Sequence, residues 1–223
     1  MVGESYCVIG DIAGRFDELQ LLLDKMPEGY ILAVGDLCDR GPKSREVIEF
    51  FIDLESQDKG DSIFGNHEHL MLDHFCHLNI YQPNNWIYNG GGKTLESFNH
   101  RVPEEVVDWI SRRPLYKKIQ LEDQEVVISH SFVHPDLNLE EAVKIAKKVI
   151  PWNHPDFDRS IIWNREYPIR RDYLQIVGHN SQMKLRQFND DKGLYAINLD
   201  DSANKKLTGL HLPSMEVFQQ EYL

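Results

Sequence analysis

The sequence predicts an α/β fold, a sandwich of two mixed parallel and antiparallel sheets flanked by helices, and three patterns in its 223 residues carry that reading. Short apolar runs at 6–9 and 31–34 each stop at a glycine, as buried strands do. Apolar residues at helical spacing fill the stretches between these runs. Short buried strands alternating with amphipathic helices build a mostly parallel sheet. Farther along, strand-like runs separated by Gly, Asn and Asp clusters imply a second sheet facing the first.

In order, Phe16, Leu19, Leu22, Leu23 and Met26 mark the first helix, which Pro27 and Gly29 end. Val47, Ile48, Phe51, Ile52 and Leu54 mark the second. A brief third strand at 63–64 runs into Gly65-Asn66-His67. Residues 67–77 and 104–110 are helical. The first of these helices carries His67, His69, His74 and His77, which one active-site imidazole plus surface imidazoles account for. Gly90-Gly91-Gly92 reads as a loop, either a plain one or one whose backbone N–H groups cradle a phosphate. Trp86 and Tyr88 beside it read as packing residues, with a pocket wall as the alternative. Two strands at 116–121 and 125–129 join through a polar turn at Asp123. A helix covers 139–150, with Glu140 and Glu141 in its first turn and Lys147 and Lys148 near its end, the order the helix dipole favours. Pro151 stops it. Strands at 175–177, 194–199, 206–211 and 216–219 form the second, more antiparallel sheet. The pairs Asp190-Asp191 and Asp200-Asp201 read as solvated turns. No repeat or linker interrupts the pattern, so one domain over residues 1–223 is expected.

Hydrophobic residues make up 41% of the chain, and its net charge is −12. That charge argues against a general nucleic-acid partner, because phosphate backbones demand clustered Lys and Arg. It is compatible with a small anionic substrate, since bound divalent ions reverse the local field. Cys7, Cys38 and Cys76 are odd in number and lack CxxC spacing, which points to a reducing, cytoplasmic compartment without a disulfide framework. No basic start precedes an apolar run and no apolar stretch could cross a bilayer, so neither a signal peptide nor a membrane partner is expected.

The chemistry lies in four strings: Gly10-Asp11-Ile12-Ala13-Gly14, Gly35-Asp36-Leu37-Cys38-Asp39-Arg40-Gly41, Gly65-Asn66-His67-Glu68, and the strand-end pair His130 and His179. In α/β sheets, ligands collect beyond the carboxyl ends of the strands. A lone strand-end Asp is an ordinary turn or cap residue, and a lone His an ordinary polar one. Together and in this order they offer carboxylate, carboxylate, amide and imidazole to divalent cations. Asp11 and Asp36 would chelate one ion. Asp36, shared between two ions about 3.5–4 Å apart, gives the spacing that in-line displacement at phosphorus requires. Asn66, His130 and His179 would complete the second ion. Mixed oxygen and nitrogen donors favour Mn, Fe or Zn over Ca, with Mn the expected cofactor. Cys38 has no base of its own and reads as a small packed residue.

These strings resemble those of the calcineurin-like metallophosphoesterases, within them the phosphoprotein phosphatases, and among those the small bacterial and phage enzymes of the lambda type. Asn85-Trp86 through Asn89-Gly90-Gly91-Gly92 and Ile162-Trp163-Asn164-Arg165-Glu166 extend the resemblance. It implies a two-ion phosphomonoester hydrolase acting on phosphoserine and phosphothreonine in proteins, or else on phosphotyrosine or small phosphoesters, by in-line attack of a hydroxide held between the ions. By that resemblance Asp11 and Asp36 hold the first ion, and Asp36, Asn66, His130 and His179 the second. His67 is the general acid, oriented by Asp39, and Arg40, Arg165 and Asn66 contact the phosphoryl group. Two positions depart from the family pattern. Ala13 stands where the pattern has a histidine, which implies a weak or half-filled first site and reduced activity. Phe64 stands where lambda-type enzymes carry an arginine before GNHE. Two other readings remain open. Gly41-Pro42 after Arg40 is similar to hydrolases of dinucleoside polyphosphates, and Ala13 would suit a silenced protein that only binds phosphorylated partners.

Overall fold

β1 (Tyr6–Ile9) is buried along its whole length, and alternate residues face different cores. Tyr6 and Val8 point between the sheets, while Cys7 and Ile9 point into the layer beneath the helices. β2 (Tyr30–Ala33) divides its side chains in the same way and pairs with β1 in parallel, Tyr6 opposite Tyr30 and Ile9 opposite Ala33. A strand covered on both faces needs an unbroken apolar run, which is why these two are so plain in the sequence. The computed structural model describes residues 5–78, 80–181 and 185–223.

The crossovers are α1 (Phe16–Leu23) and α2 (Ser44–Ser56). α2 leads to β3 (Gly60–Ser62), which pairs in parallel with β2. This third strand lies slightly before the expected 63–64. Ile63 N–H still donates to the Ala33 carbonyl (2.8 Å), but Phe64 N–H turns to Pro114 (2.8 Å), and the chain leaves the sheet there. α3 (Asn66–Cys76) starts at once, its Glu68 carboxylate accepting from Gly65 N–H at 2.9 Å.

Residues 87–91 form a wide helical turn, kinked at Gly90, that feeds α4 (Gly92–Ser97), so Gly91 and Gly92 are helical and the expected loop shrinks to the kink. The glycines are needed for proximity. A Cβ on Gly91 would collide with the Trp86 ring, and one on Gly90 (φ +113°) would press on Arg40. Trp86 is buried as expected, whereas Tyr88 is 81% exposed and packs on nothing substantial. α5 (Glu104–Ser111) completes the helical layer.

The second sheet begins with the hairpin of β4 (Tyr116–Gln120) and β5 (Glu125–Ser129). α6 (Leu139–Ala146) opens on a reciprocal cap: Glu141 N–H donates to Asn138 Oδ1 (2.9 Å) and Asn138 N–H to the Glu141 carboxylate (2.8 Å). It ends four residues short of the expected 150. Val149, 64% exposed, has no core to bury against, so nothing rewards another turn. β6 (Leu174–Val177), β7 (Arg186–Asp190) and β8 (Gly193–Asn198) follow. β7 is a polar edge strand, and its weak apolar signal hides it in the sequence.

β9 (Lys206–Leu212) and β10 (Glu216–Glu221) do not join their sequence neighbours. They return to the first sheet, whose order is β10-β9-β1-β2-β3, with β9 antiparallel to β1. The second sheet has the order β4-β5-β6-β8-β7, with β5, β6 and β8 parallel. Each sheet therefore carries two parallel and two antiparallel pairings, the second with a parallel centre and antiparallel edges and the first with a parallel half (β1-β2-β3) and an antiparallel half (β10-β9-β1), which corrects the expectation of a more antiparallel second sheet. Val8, Leu32, Val126, Ile128, Ile176, Ile197 and Leu210 fill the space between them. Each such side chain contributes about 1.5–3 kcal/mol on full burial. Leu19, Leu22, Val47, Phe51, Leu70 and Ile110 pack the helices onto the outer face of the first sheet.

Candidate active site

The parallel strands of both sheets end at one rim. β1 delivers Asp11, β2 Asp36, and the end of β3 delivers Asn66 and His67. β5 delivers His130, β6 His179 and β8 Asp200. The crowding there is tight enough that a Cβ on Gly178 would strike the Asp11 carboxylate. His179 N–H donates to that carboxylate at 3.1 Å, tying the two sheets together.

His130 Nδ1–H donates to the Val34 carbonyl at 2.8 Å, so in the neutral ring Nε2 carries a lone pair. That nitrogen lies 2.8 Å from Asn66 Oδ1 and 3.4 Å from Asp36 Oδ1. His179 Nδ1 lies 2.7 Å from the same Asn66 oxygen. Donor atoms of Asp11, Asp36 and His130 all fall within 4.8 Å of one another, and all three residues are buried. Lone pairs aimed at one another in a buried pocket are unfavourable unless a cation sits among them. The donor set fits divalent ions: Asp36 adjoins both Asp11 on one side and His130 on the other.

The titration of these groups reports the same crowding. Burial, then the charges of Asp200 and Asp36, push the Asp11 carboxyl well above its ordinary range. Burial opposes ionisation of Asp36 too, but His130, His67 and His179 hold it down to about 2. Burial lowers His130, and burial followed by the His130 and Arg165 charges pushes His179 well down, so both imidazoles favour the neutral form a metal ligand needs. Glu68 is lifted to about 7 by burial and then by Asp36. Its carboxylate accepts from the N–H groups of Asp36 and Leu37, both at 2.8 Å, and from Gly65, so it braces the second motif against the third.

His67 stands at the edge of this group. Its Nδ1 lies 2.6 Å from Asp39 Oδ2, and an Arg40 guanidinium N–H reaches Nε2 at 2.9 Å. Asp39 is itself held by Trp86 and by Thr94, whose hydroxyl donates to Oδ1 at 2.6 Å. Arg165 reaches Asn180, the residue after His179, at 3.4 Å. Asp11, Asp36, Asn66, His67, Asp39, Arg40, His130 and His179 thus form one connected group, to which Arg165 is joined only through Asn180. Phe64 is buried in the helical core and points no polar group at it. Ala13 contributes through its backbone: its N–H donates to the Asp36 carbonyl (2.7 Å) and its carbonyl accepts from Gly41 N–H (2.9 Å).

Residues 5–201 match the family model of calcineurin-like phosphoesterases. The chain belongs to that family. Among related phosphoesterases, an asymmetrical bis(5'-nucleosyl)-tetraphosphatase of Anoxybacillus flavithermus is 30% identical over 95% of this chain and 91% of that protein. A symmetrical bis(5'-nucleosyl)-tetraphosphatase of Shewanella sediminis is 33% identical over 59% of this chain and 46% of its own length. The chain thus spans about half the length of the symmetrical relatives it matches. The cold-active protein-tyrosine phosphatase of a psychrophilic Shewanella superposes with a TM-score of 0.64 at 18% identity, covering 98% of this chain and 78% of that one, a likeness of fold.

Sequence reasoning missed the part that Asp200, Trp86 and Thr94 take in this phosphoesterase site. Asp200 and Asp201 are not solvated: each is 3% exposed, and Asp200 belongs to the rim. Its signal is positional, being the residue just past the third parallel strand of the second sheet. Trp86 and Thr94 hold Asp39 from 47 and 55 residues away, separations that leave no local pattern.

Proposed function

We propose that this phosphoesterase hydrolyses a phosphoanhydride of dinucleoside polyphosphates, with divalent ions, manganese foremost, as cofactors. The observation that carries the chemistry is the convergence of His130, His179 and Asp36 on Asn66, with Asp11 adjoining. The likeness to the asymmetrical tetraphosphatase over nearly the whole of both chains supports the substrate class.

In this reading Asp11 and Asp36 hold the first ion, and Asp36, Asn66, His130 and His179 the second. The ions, when bound, make water a better nucleophile and offset charge on the phosphoryl group. Arg40 and Arg165 clamp phosphoryl oxygens, a task suited to the guanidinium fork. As Arg40 turns from His67 to the phosphoryl group, Nε2 becomes free to carry a proton. Water oxygen bonds to phosphorus, the bridging P–O bond breaks in line, and His67 supplies a proton to the departing oxygen. Asp39 fixes the ring by its contact at Nδ1.

The His67–Asp39 pair favours a second reading, phosphomonoester hydrolysis on protein serine, threonine or tyrosine, because an alkoxide leaving group needs a proton donor most. Turnover of diadenosine tetraphosphate and of a phosphoserine peptide, side by side with manganese, separates the two. The expected result is a higher kcat/KM for the dinucleotide with ATP and AMP as products. A higher value for the peptide establishes the second reading instead.

A further inference from the structure

A cleft of about 1030 Å³ opens beside Arg165, its walls including Trp152, Trp163, Phe157, Tyr81, Asn85 and Asn89. We propose that it holds the nucleoside end of the substrate, with the base stacked on the Trp152 indole; this rests on the dinucleoside-polyphosphate reading above. Its volume is at the upper end of the roughly 300–1,000 Å³ usual for small-molecule sites.

The cleft is continuous with the catalytic rim. The Trp163 ring lies 5.9 Å from the ring of His179 and also lines the cleft, so one side chain is shared by both. Arg165, which follows it but one, sits at the junction, where it would grip the phosphate nearest the nucleoside.

The aromatic residues are not equivalent. Tyr81, Phe157 and Trp163 pack on one another at centroid separations of 5.3–5.8 Å and make a fixed wall. Trp152 is 49% exposed, although its backbone N–H is pinned to the Ile80 carbonyl at 2.9 Å. An indole with about half its surface in water, carried on a pinned backbone at the cleft wall, is available to stack. Carboxamides line the same cleft: Asn85 and Asn89, of which Asn89 donates to the Asn85 main-chain carbonyl at 2.8 Å. Such groups match the donor and acceptor edge of adenine.

Charge selects the base over more phosphate. Arg159 is already paired with Asp156 at 3.0 Å, and Asp158 and Glu166 also line the cleft. A neutral planar base is therefore favoured there, with the polyphosphate directed towards Arg165 and Arg40.

The test is calorimetric binding of AMP and of ribose 5-phosphate to the manganese-loaded full chain. The two ligands carry the same phosphate, and only AMP carries a base. AMP is expected to bind more tightly, Trp152→Ala to lower AMP affinity roughly 5- to 100-fold as loss of one stacked base does, and Trp152→Phe to retain most of it. Ribose 5-phosphate should bind all three forms alike. Equal binding of the two ligands, or AMP binding indifferent to Trp152→Ala, overturns the proposal. If AMP binds as expected while diadenosine tetraphosphate is not hydrolysed, the cleft stands and the proposed reaction falls. If the dinucleotide is hydrolysed and Trp152→Ala leaves its KM unchanged, the reverse holds.

Discussion

The indole N–H of Trp86 reaches both carboxylate oxygens of Asp39, each at 3.0 Å. Asp39 in turn lies 2.6 Å from His67 Nδ1. A tryptophan 2% exposed, packed on Phe75 and His74, thus sets the direction of the imidazole through one carboxylate. Thr94 supplies a second donor to the same group.

Removing either donor while keeping its shape should misorient His67, the proton donor of the proposed reaction. Trp86→Phe and Thr94→Val are each expected to lower kcat roughly 10-fold, part of the 100- to 10,000-fold that general acid catalysis supplies, with KM little changed. A purely structural role would lower thermal stability and leave kcat of the folded fraction intact, so steady-state kinetics beside a melting curve distinguishes them.

His67 itself separates the two candidate reactions. Burial draws its pKa down, but the Asp36 carboxylate and the hydrogen bond to Asp39 more than compensate, leaving it above the ordinary imidazole value. A serine alkoxide cannot depart without that proton. A nucleotide phosphate, whose own pKa is about 6, leaves with far less help. His67→Asn is therefore expected to depress phosphoserine turnover by roughly 100- to 10,000-fold and anhydride turnover by much less. Equal losses on both substrates would remove His67 from the proton-donor role.

The site was legible where local pattern and chemistry coincide. Asp11 and Asp36 each follow a doubly buried strand and a glycine, and both signals are contained in about six consecutive residues. His130 and His179 close strands in the same way. Asp200 also follows a buried strand, but an acidic pair before a serine has the composition of a surface turn. Its burial depends on β8 lying beside β6 and on β9 crossing to the other sheet, pairings that sequence distance does not encode. The same non-locality sent β9 and β10 to the first sheet against expectation. The kinked helical turn at 90–92 was unreadable because what demands its glycines, the Trp86 ring against Gly91 and Arg40 against Gly90, is tertiary contact.

In the proposed two-ion site, Ala13 would leave the first ion with carboxylates and no imidazole from its own motif. Its backbone, at φ +50°, joins the first two motifs whatever the side chain, and histidine tolerates that left-handed conformation better than most residues. Ala13→His should therefore fold. It is expected to strengthen binding of the first ion by at least about 10-fold, the lower range for loss of even an outer partner, and to raise manganese content after dialysis towards two per chain. Unchanged stoichiometry and affinity by calorimetry would show that the remaining donors suffice.

His69 gives the fold an acid-sensitive point away from the ion ligands. It is not a surface imidazole: it stacks near Phe157, and Nδ1 accepts from the Tyr81 hydroxyl at 2.8 Å and faces the Trp163 N–H at 3.3 Å. Both neighbours are donors, so the ring is held neutral, and burial pushes its pKa down to about 4. In the unfolded chain the value returns to about 6.5. Between these limits the unfolded state binds the extra proton, so stability rises with pH across the window. The contribution is complete above pH about 6.5, is lost as pH falls towards 4, and amounts to about 3 kcal/mol at most. Urea unfolding at pH 7.5 and 4.5 measures it. The double variant His69→Phe/Tyr81→Phe removes both partners without orphaning the hydroxyl, and should lose less stability on acidification than the parent. The same pH dependence in both would assign the acid sensitivity to the carboxylates instead.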